Sequence, residues 1–236
     1  MSARAAALFD LDGTLLDTPA GIVATFSAVF EAMGVPAADP VEVRGTIGLP
    51  LQVAFGKLLG VPADDPVIAE AVAHYQRCFR EVVLPIAPEL VFDGVRDGLA
   101  RLRAAGLALA VATSKFHASA DTLLTAAGIR DEFEIVLGAD EVGNPKPHPE
   151  MALALLDRLA VPAGRTVMVG DTSHDLLMAR SAGLRSIAVT YGVHPRAELA
   201  AAEPTWIVDH FSDAADLLRH ALTTNTEMET DPSSHD

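Results

Sequence analysis

The chain is poor in cysteine and in positive charge. One of its 236 residues is a cysteine, Cys78, so no disulfide can form within the chain, which suits a reducing compartment such as the cytoplasm. Nothing near Cys78 would activate a thiolate, and it reads as a small apolar residue on a helix. Lysine and arginine number 17 against 32 aspartates and glutamates, for a net charge of −15. That balance argues against nucleic acid and anionic membrane surfaces, both of which call for basic patches. No apolar run approaches the roughly 18 residues of a membrane span. Asp10 and Asp12 break the N-terminal apolar segment, so no signal peptide is expected. An acidic chain that handles phosphate must gather positive charge locally, from a metal and a few basic side chains. What is abundant is apolar: 50% of the residues are hydrophobic, enough for one large domain or for a core carrying a smaller insert.

The organising stretch is Leu8-Phe9-Asp10-Leu11-Asp12-Gly13-Thr14. A short apolar run stopped by polar residues and glycine reads as a buried strand. Ligands of open α/β sheets sit beyond the carboxyl ends of the strands, so Asp10 is expected at the mouth of a site. The pattern then turns helical. Helices are expected over 19–33, 41–44, 51–59 and 66–83, with a loop over 45–50 and no convincing strand between 18 and 83. From Phe92 onward strands and helices alternate, which implies βαβ units and a parallel sheet. The expected fold is therefore α/β: a doubly wound parallel sheet formed by residues 1–16 and 84–222, interrupted by an all-helical cap over 17–83. Residues 223–236 are polar, aperiodic and free of lysine and arginine, and a disordered acidic tail is expected there.

Four clusters stand at or beyond the ends of expected strands. Asp10 and Asp12 would repel each other unless a cation sat between them, and Mg²⁺ takes oxygen ligands while keeping phosphates and waters. Thr113-Ser114-Lys115 ends a strand and opens a helix, where a hydroxyl beside free N–H groups makes a phosphate cradle; an ordinary helix cap would use the same residues. Asn144-Pro145-Lys146-Pro147-His148-Pro149 holds one lysine in a proline-framed extended loop, placed to offset charge on a phosphoryl group. Asp171 and Asp175 lie one helical turn apart and can face one cation, although helix capping also explains them. His174, between them, is read as a polar first-turn residue, since histidine suits softer metals.

Together these clusters resemble the four motifs of the haloacid dehalogenase-like hydrolases, in order, over Ala5 to about Leu218. The resemblance implies that Asp10 is the nucleophile and forms an aspartyl phosphate. It implies that Asp12 is the general acid and then the general base, and that Thr113 and Lys146 hold the transferring phosphoryl group. It assigns Mg²⁺ to Asp10, the Asp12 carbonyl and Asp171, with Asp175 acting through a water. Thr14 is expected to support the first motif or the substrate, with Ser114, and the Gly48-Leu49-Pro50 loop to close over the site beside Arg44. Within the helical-capped branch the chain looks most like phosphoglycolate phosphatases, through Asp12-Gly13-Thr14-Leu15-Leu16-Asp17-Thr18 and Tyr191-Gly192-Val193-His194-Pro195. It departs from them at Ser114 and at Phe92-Asp93-Gly94-Val95. The expected activity is a cytoplasmic Mg²⁺-dependent phosphatase of a small phosphorylated metabolite, foremost 2-phosphoglycolate, working as a monomer or homodimer. Alternatives are a sugar phosphate, a nucleotide or an aminohydroxybenzoate-pathway intermediate as substrate, a β-phosphoglucomutase-like mutase, or a non-catalytic phosphometabolite sensor.

Overall fold

The structure is a computed structural model that describes residues 4–223. It opens with strand β1 (Ala6–Phe9), followed by four helices: α1 (Pro19–Met33), α2 (Pro40–Arg44), α3 (Leu51–Leu59) and α4 (Pro66–Val82). After a 3₁₀ turn over Leu84–Glu89 come α5 (Val95–Ala104), β2 (Ala108–Ala112), α6 (His117–Ala126) and β3 (Ile135–Leu137). Then follow α7 (Glu150–Leu159), β4 (Thr166–Gly170), α8 (Ser173–Ser181) and β5 (Arg185–Val189). The described chain closes with α9 (Arg196–Ala201), β6 (Trp206–Val208) and α10 (Phe211–Thr223). Thr223 thus ends a helix, and the rest of the expected tail lies outside the described residues.

All six strands are parallel, in the order β3-β2-β1-β4-β5-β6. Chain order reverses direction beside β1, and that switch point opens a crevice at the carboxyl ends of β1, β2 and β4. Phe9 pairs in register with Val111 on one side and Val169 on the other, so β1, β2 and β4 end within one residue of the same level. Successive side chains of a strand point to opposite faces. Ala7 and Phe9 accordingly join the side packed by Leu99, Leu123 and Phe211, from α5, α6 and α10. Ala6 and Leu8 join the other, with Leu155 of α7 and Met178 of α8. The fold is the doubly wound α/β sheet expected from the sequence.

The helices α1–α4 owe their starts to local chemistry. Proline holds the first turn of α1, α2 and α4, and the aspartates before two of them cap the helix: Asp39 accepts from the Val41 N–H at 2.7 Å and Asp65 from the Val67 N–H at 2.9 Å. Their shared interior is aromatic. Phe26 lies 4.5 Å from Phe55 and 5.1 Å from Tyr75 between ring centroids, with Phe30 and Phe79 against the same group. This interior is continuous with the sheet's larger apolar layer. The two segments joining the helices to the sheet bond to each other: the Asp17 N–H donates to the Leu90 carbonyl at 2.7 Å and the Phe92 N–H to the Leu15 carbonyl at 3.2 Å. Because Phe55 is fully buried at the centre of this aromatic group, Phe55→Ala is expected to cost about 3–5 kcal/mol of stability, read as a lowered urea midpoint; an unchanged midpoint would refute the packing.

Candidate active site

Asp10 is the residue after β1, and its N–H donates to the Val169 carbonyl of β4 at 2.9 Å. Its carboxylate accepts from the Lys146 ammonium at 2.7 Å. The same ammonium reaches Asp175 at 2.5 Å, and all three groups are buried. Asp175 lies in the first turn of α8, where its other oxygen accepts from the Thr172 N–H at 3.1 Å and the Thr172 hydroxyl at 2.7 Å. The cap of that helix therefore aims one carboxylate oxygen at Lys146. The positive end of the helix dipole faces the same point.

Asp171 follows β4 and is fully buried. No ammonium or guanidinium of the described residues pairs with it. Its oxygens instead accept from the Thr14 hydroxyl at 2.7 Å and the Val193 N–H at 2.8 Å. Two glycines hem it in. A Cβ on Gly13 would stand 2.3 Å from its Oδ2, and one on Gly192 would stand 2.2 Å from the same atom. Gly13 also has φ +86°, a conformation that glycine adopts without strain. Tyr191 completes the frame by donating its hydroxyl to the Thr14 carbonyl at 2.8 Å.

Burial pushes the Asp10 carboxyl up to about 7 despite the opposing pull of Lys146. It pushes Asp171 well above the carboxylate range too, and the charges of Asp10 and Asp175 add to the effect. Burial alone would depress the Lys146 ammonium, but Asp10 and Asp175 together hold it above its ordinary value. Two of the buried carboxylates thus share one ammonium, and the third, Asp171, stands beside them without a cationic partner among the described residues. Asp10, Asp171 and Asp175 each offer an oxygen within 4.8 Å of the others. An all-oxygen set with surplus negative charge fits a hard divalent cation.

The Asp12 carboxylate turns away from that trio. It accepts from the Thr18 hydroxyl at 2.5 Å and pairs with Lys115 at 3.0 Å. Lys115 also lies 4.3 Å from the Phe79 ring centroid, so it joins the acid to the helical insert. Asp10, Asp12, Thr113, Ser114 and Lys115 line a cavity of about 240 Å³, closed over by residues of α1, α3, α4 and the Gly48–Leu49 loop. The Ser114 hydroxyl donates to the Gly48 carbonyl at 2.7 Å.

Several expected site residues are engaged elsewhere. Thr14 spends its hydroxyl on Asp171 and is fully buried. Pro50 caps α3. Arg44 donates to the Gly192 carbonyl at 3.0 Å, tying α2 to the loop that clamps Asp171. None of the three is among the cavity-lining residues. Tyr75, Gln76 and Arg80 line the cavity without having been singled out from the sequence, and Lys115 lines it after being named only as part of the Thr113-Ser114-Lys115 cluster, with no role of its own. For Lys115 a signal existed: the chain has three lysines, and this one directly follows the Thr113-Ser114 pair at a strand end.

A family model described as haloacid dehalogenase-like hydrolase matches residues 7–189. Among curated proteins, "Probable phosphatase IndB" of Dickeya dadantii is 54% identical over 91% of this chain and 93% of its own length. A phosphoglycolate phosphatase of Pectobacterium atrosepticum is 30% identical over 93% of this chain and 94% of its own. Among solved structures, CbbY of Rhodobacter sphaeroides in complex with xylulose-1,5-bisphosphate is 28% identical, with a TM-score of 0.76, covering 89% of this chain and 96% of that one.

The raised carboxyls set a pH dependence for the metal-free protein. Asp10 titrates near 7 when folded against an ordinary 3.8, so between those values the folded state holds a proton that the unfolded state has lost. Its stabilising contribution is full below pH 3.8 and is lost as pH rises through 7. A divalent cation competes with that proton and binds the ionised form. Added Mg²⁺ is therefore expected to raise Tm more at pH 8 than at pH 5.5, measured by scanning calorimetry after EDTA treatment. An equal rise at both pH values, or none, would remove the cation from this cluster.

Proposed function

We propose, for a chain that belongs to the haloacid dehalogenase-like hydrolases, a Mg²⁺-dependent phosphomonoesterase of a small metabolite that works through an aspartyl phosphate. Its relatives support phosphatase activity. The observation that carries the reading is Lys146 bridging Asp10 and Asp175 beside Asp171, where β1 and β4 end. Asp10, Asp171 and Asp175 would hold Mg²⁺, which when bound offsets the charge of the phosphoryl oxygens.

The ammonium of Lys146 favours the ionised form of Asp10, and an ionised carboxylate can attack phosphorus without a base. Its Oδ1 takes the Lys146 hydrogen bond, which leaves Oδ2 for the attack. The Thr113 hydroxyl and main-chain N–H groups at the end of β2 would hold the phosphoryl oxygens. Asp12 opens on the same cavity and would protonate the leaving alkoxide, then take the proton of the attacking water. Thr18 and Lys115 fix its orientation. The helices α1–α4 would act as the cap that excludes water while the phosphoenzyme forms.

Two substrate readings have support. The phosphoglycolate phosphatases among the relatives favour 2-phosphoglycolate. The apolar wall of the cavity, which includes Phe26 and Phe79, favours a bulkier alcohol portion. A cytoplasmic setting belongs to the same proposal. Among the described residues no helix is long and apolar enough to cross a membrane.

Rapid-quench labelling tests the chemistry. Asp10→Asn is expected to abolish both phosphoenzyme and turnover. Asp12→Asn is expected to form phosphoenzyme from p-nitrophenyl phosphate, whose leaving group needs little protonation, and then to stall with label on Asp10. With alkyl phosphates the same variant should lose about 10²–10⁴-fold in kcat. Label on any other residue, or normal turnover of Asp12→Asn with alkyl phosphates, would refute these roles.

A further inference from the structure

Phosphoryl transfer accounts for the floor of the cavity and not for its roof. Ile22 and Phe26 of α1 and Tyr75 and Phe79 of α4 present ring and aliphatic surface to the space above Asp10 and Asp12. The Tyr75 hydroxyl makes no hydrogen bond to another described residue, and burial, with the charge of Asp12, pushes it well above its ordinary range. It serves the cavity as a neutral ring with one polar atom. An alcohol portion of two carbons, such as glycolate, would leave most of this wall facing water. Apolar surface gains free energy in proportion to the area covered.

Two polar side chains complete the roof. Gln76 and Arg80 line the same cavity, and a spacing of four residues sets them on one face of α4. Neither has a hydrogen-bond or ion-pair partner among the described residues. Arg80 is exposed and so stands at the cavity opening. Two neighbouring guanidinium groups are already engaged, Arg44 by the Gly192 carbonyl and Arg77 by His74. The helical insert therefore offers the cavity an apolar wall of ring and aliphatic side chains that ends in one amide and one free cation.

We infer that the cavity receives a phosphomonoester whose alcohol portion carries a planar ring, packed against Phe26, Tyr75 and Phe79, with an anionic or hydrogen-bond-accepting substituent on its far edge held by Gln76 and Arg80. The inference rests on the phosphatase reading and narrows its substrate class. Aromatic rings prefer offset or edge-to-face contacts with one another, and a guanidinium reads a carboxylate through two parallel hydrogen bonds.

The test is phosphate release by the full chain in Mg²⁺ from ethyl phosphate, benzyl phosphate, 4-carboxybenzyl phosphate and 2-phosphoglycolate, with p-nitrophenyl phosphate as a reactive control. The first two leave as alcohols of similar acidity, so their ratio reports the wall. Benzyl phosphate is expected to exceed ethyl phosphate in kcat/KM by at least about tenfold. The carboxylate is expected to add a further gain of about tenfold, lost in Arg80→Ala and reduced in Gln76→Ala. Equal values for ethyl and benzyl phosphate, or 2-phosphoglycolate as the best of the set, would overturn the inference while phosphatase activity stood. Release from none of the five would overturn both.

Discussion

The Lys146 ammonium is buried between Asp10 and Asp175, and its desolvation is offset because both carboxylates reach it, at 2.7 and 2.5 Å. A charge taken out of water persists only when paired. Much of the surrounding structure serves that pairing. Pro145, Pro147 and Pro149 restrict the loop that delivers the lysine. The first turn of α8 delivers Asp175, and the adjacent ends of β1 and β4 deliver Asp10 and Asp171. One ammonium against three carboxylates leaves the cluster short of positive charge. That deficit makes a bound cation the natural fifth member of the group.

The helical insert is coupled to this chemistry by contacts from both sides of the cavity. Thr18 immediately precedes α1, and its hydroxyl goes to Asp12 rather than to the helix end. Lys115 divides its charge between Asp12 and the face of Phe79. Arg44 grips the carbonyl of Gly192, whose neighbour Val193 holds Asp171. The orientation of the proposed acid and the clamp on Asp171 are therefore both sensitive to how the insert sits.

Much of this was legible in the sequence because it is local. The bounds of α1 and α3 follow from apolar spacing and from glycine or proline at their ends, and the expected spans coincide with the observed ones. Asp10, Thr113 and Asp171 directly follow apolar strands, Asp12 and Asp175 follow two of them at short spacing, and Lys146 sits within a proline frame. What stayed hidden is tertiary. Nothing local says that the Arg44 guanidinium meets a carbonyl 148 residues away. Nothing local turns Gln76 and Arg80 toward the cavity rather than toward water, since a polar stripe on a helix is ordinarily its solvated face. Thr14 was recognised as part of the first motif, yet its partner, Asp171, lies 157 residues further on.

The paired segments at the base of the insert have a consequence for how such a chain can change over time. Leu16 and Val91 form a bridge, and the flanking N–H groups of Asp17 and Phe92 are satisfied across it. The chain thus leaves the sheet and re-enters it at one place. To the sheet, the 74 intervening residues are equivalent to a single tight turn. Chain segments whose ends lie together can be exchanged or lengthened with little disturbance to the domain that carries them. A lineage can therefore replace the roof of the cavity, and with it the alcohol that the cavity recognises, while the carboxylates and the lysine beneath stay where the strands put them.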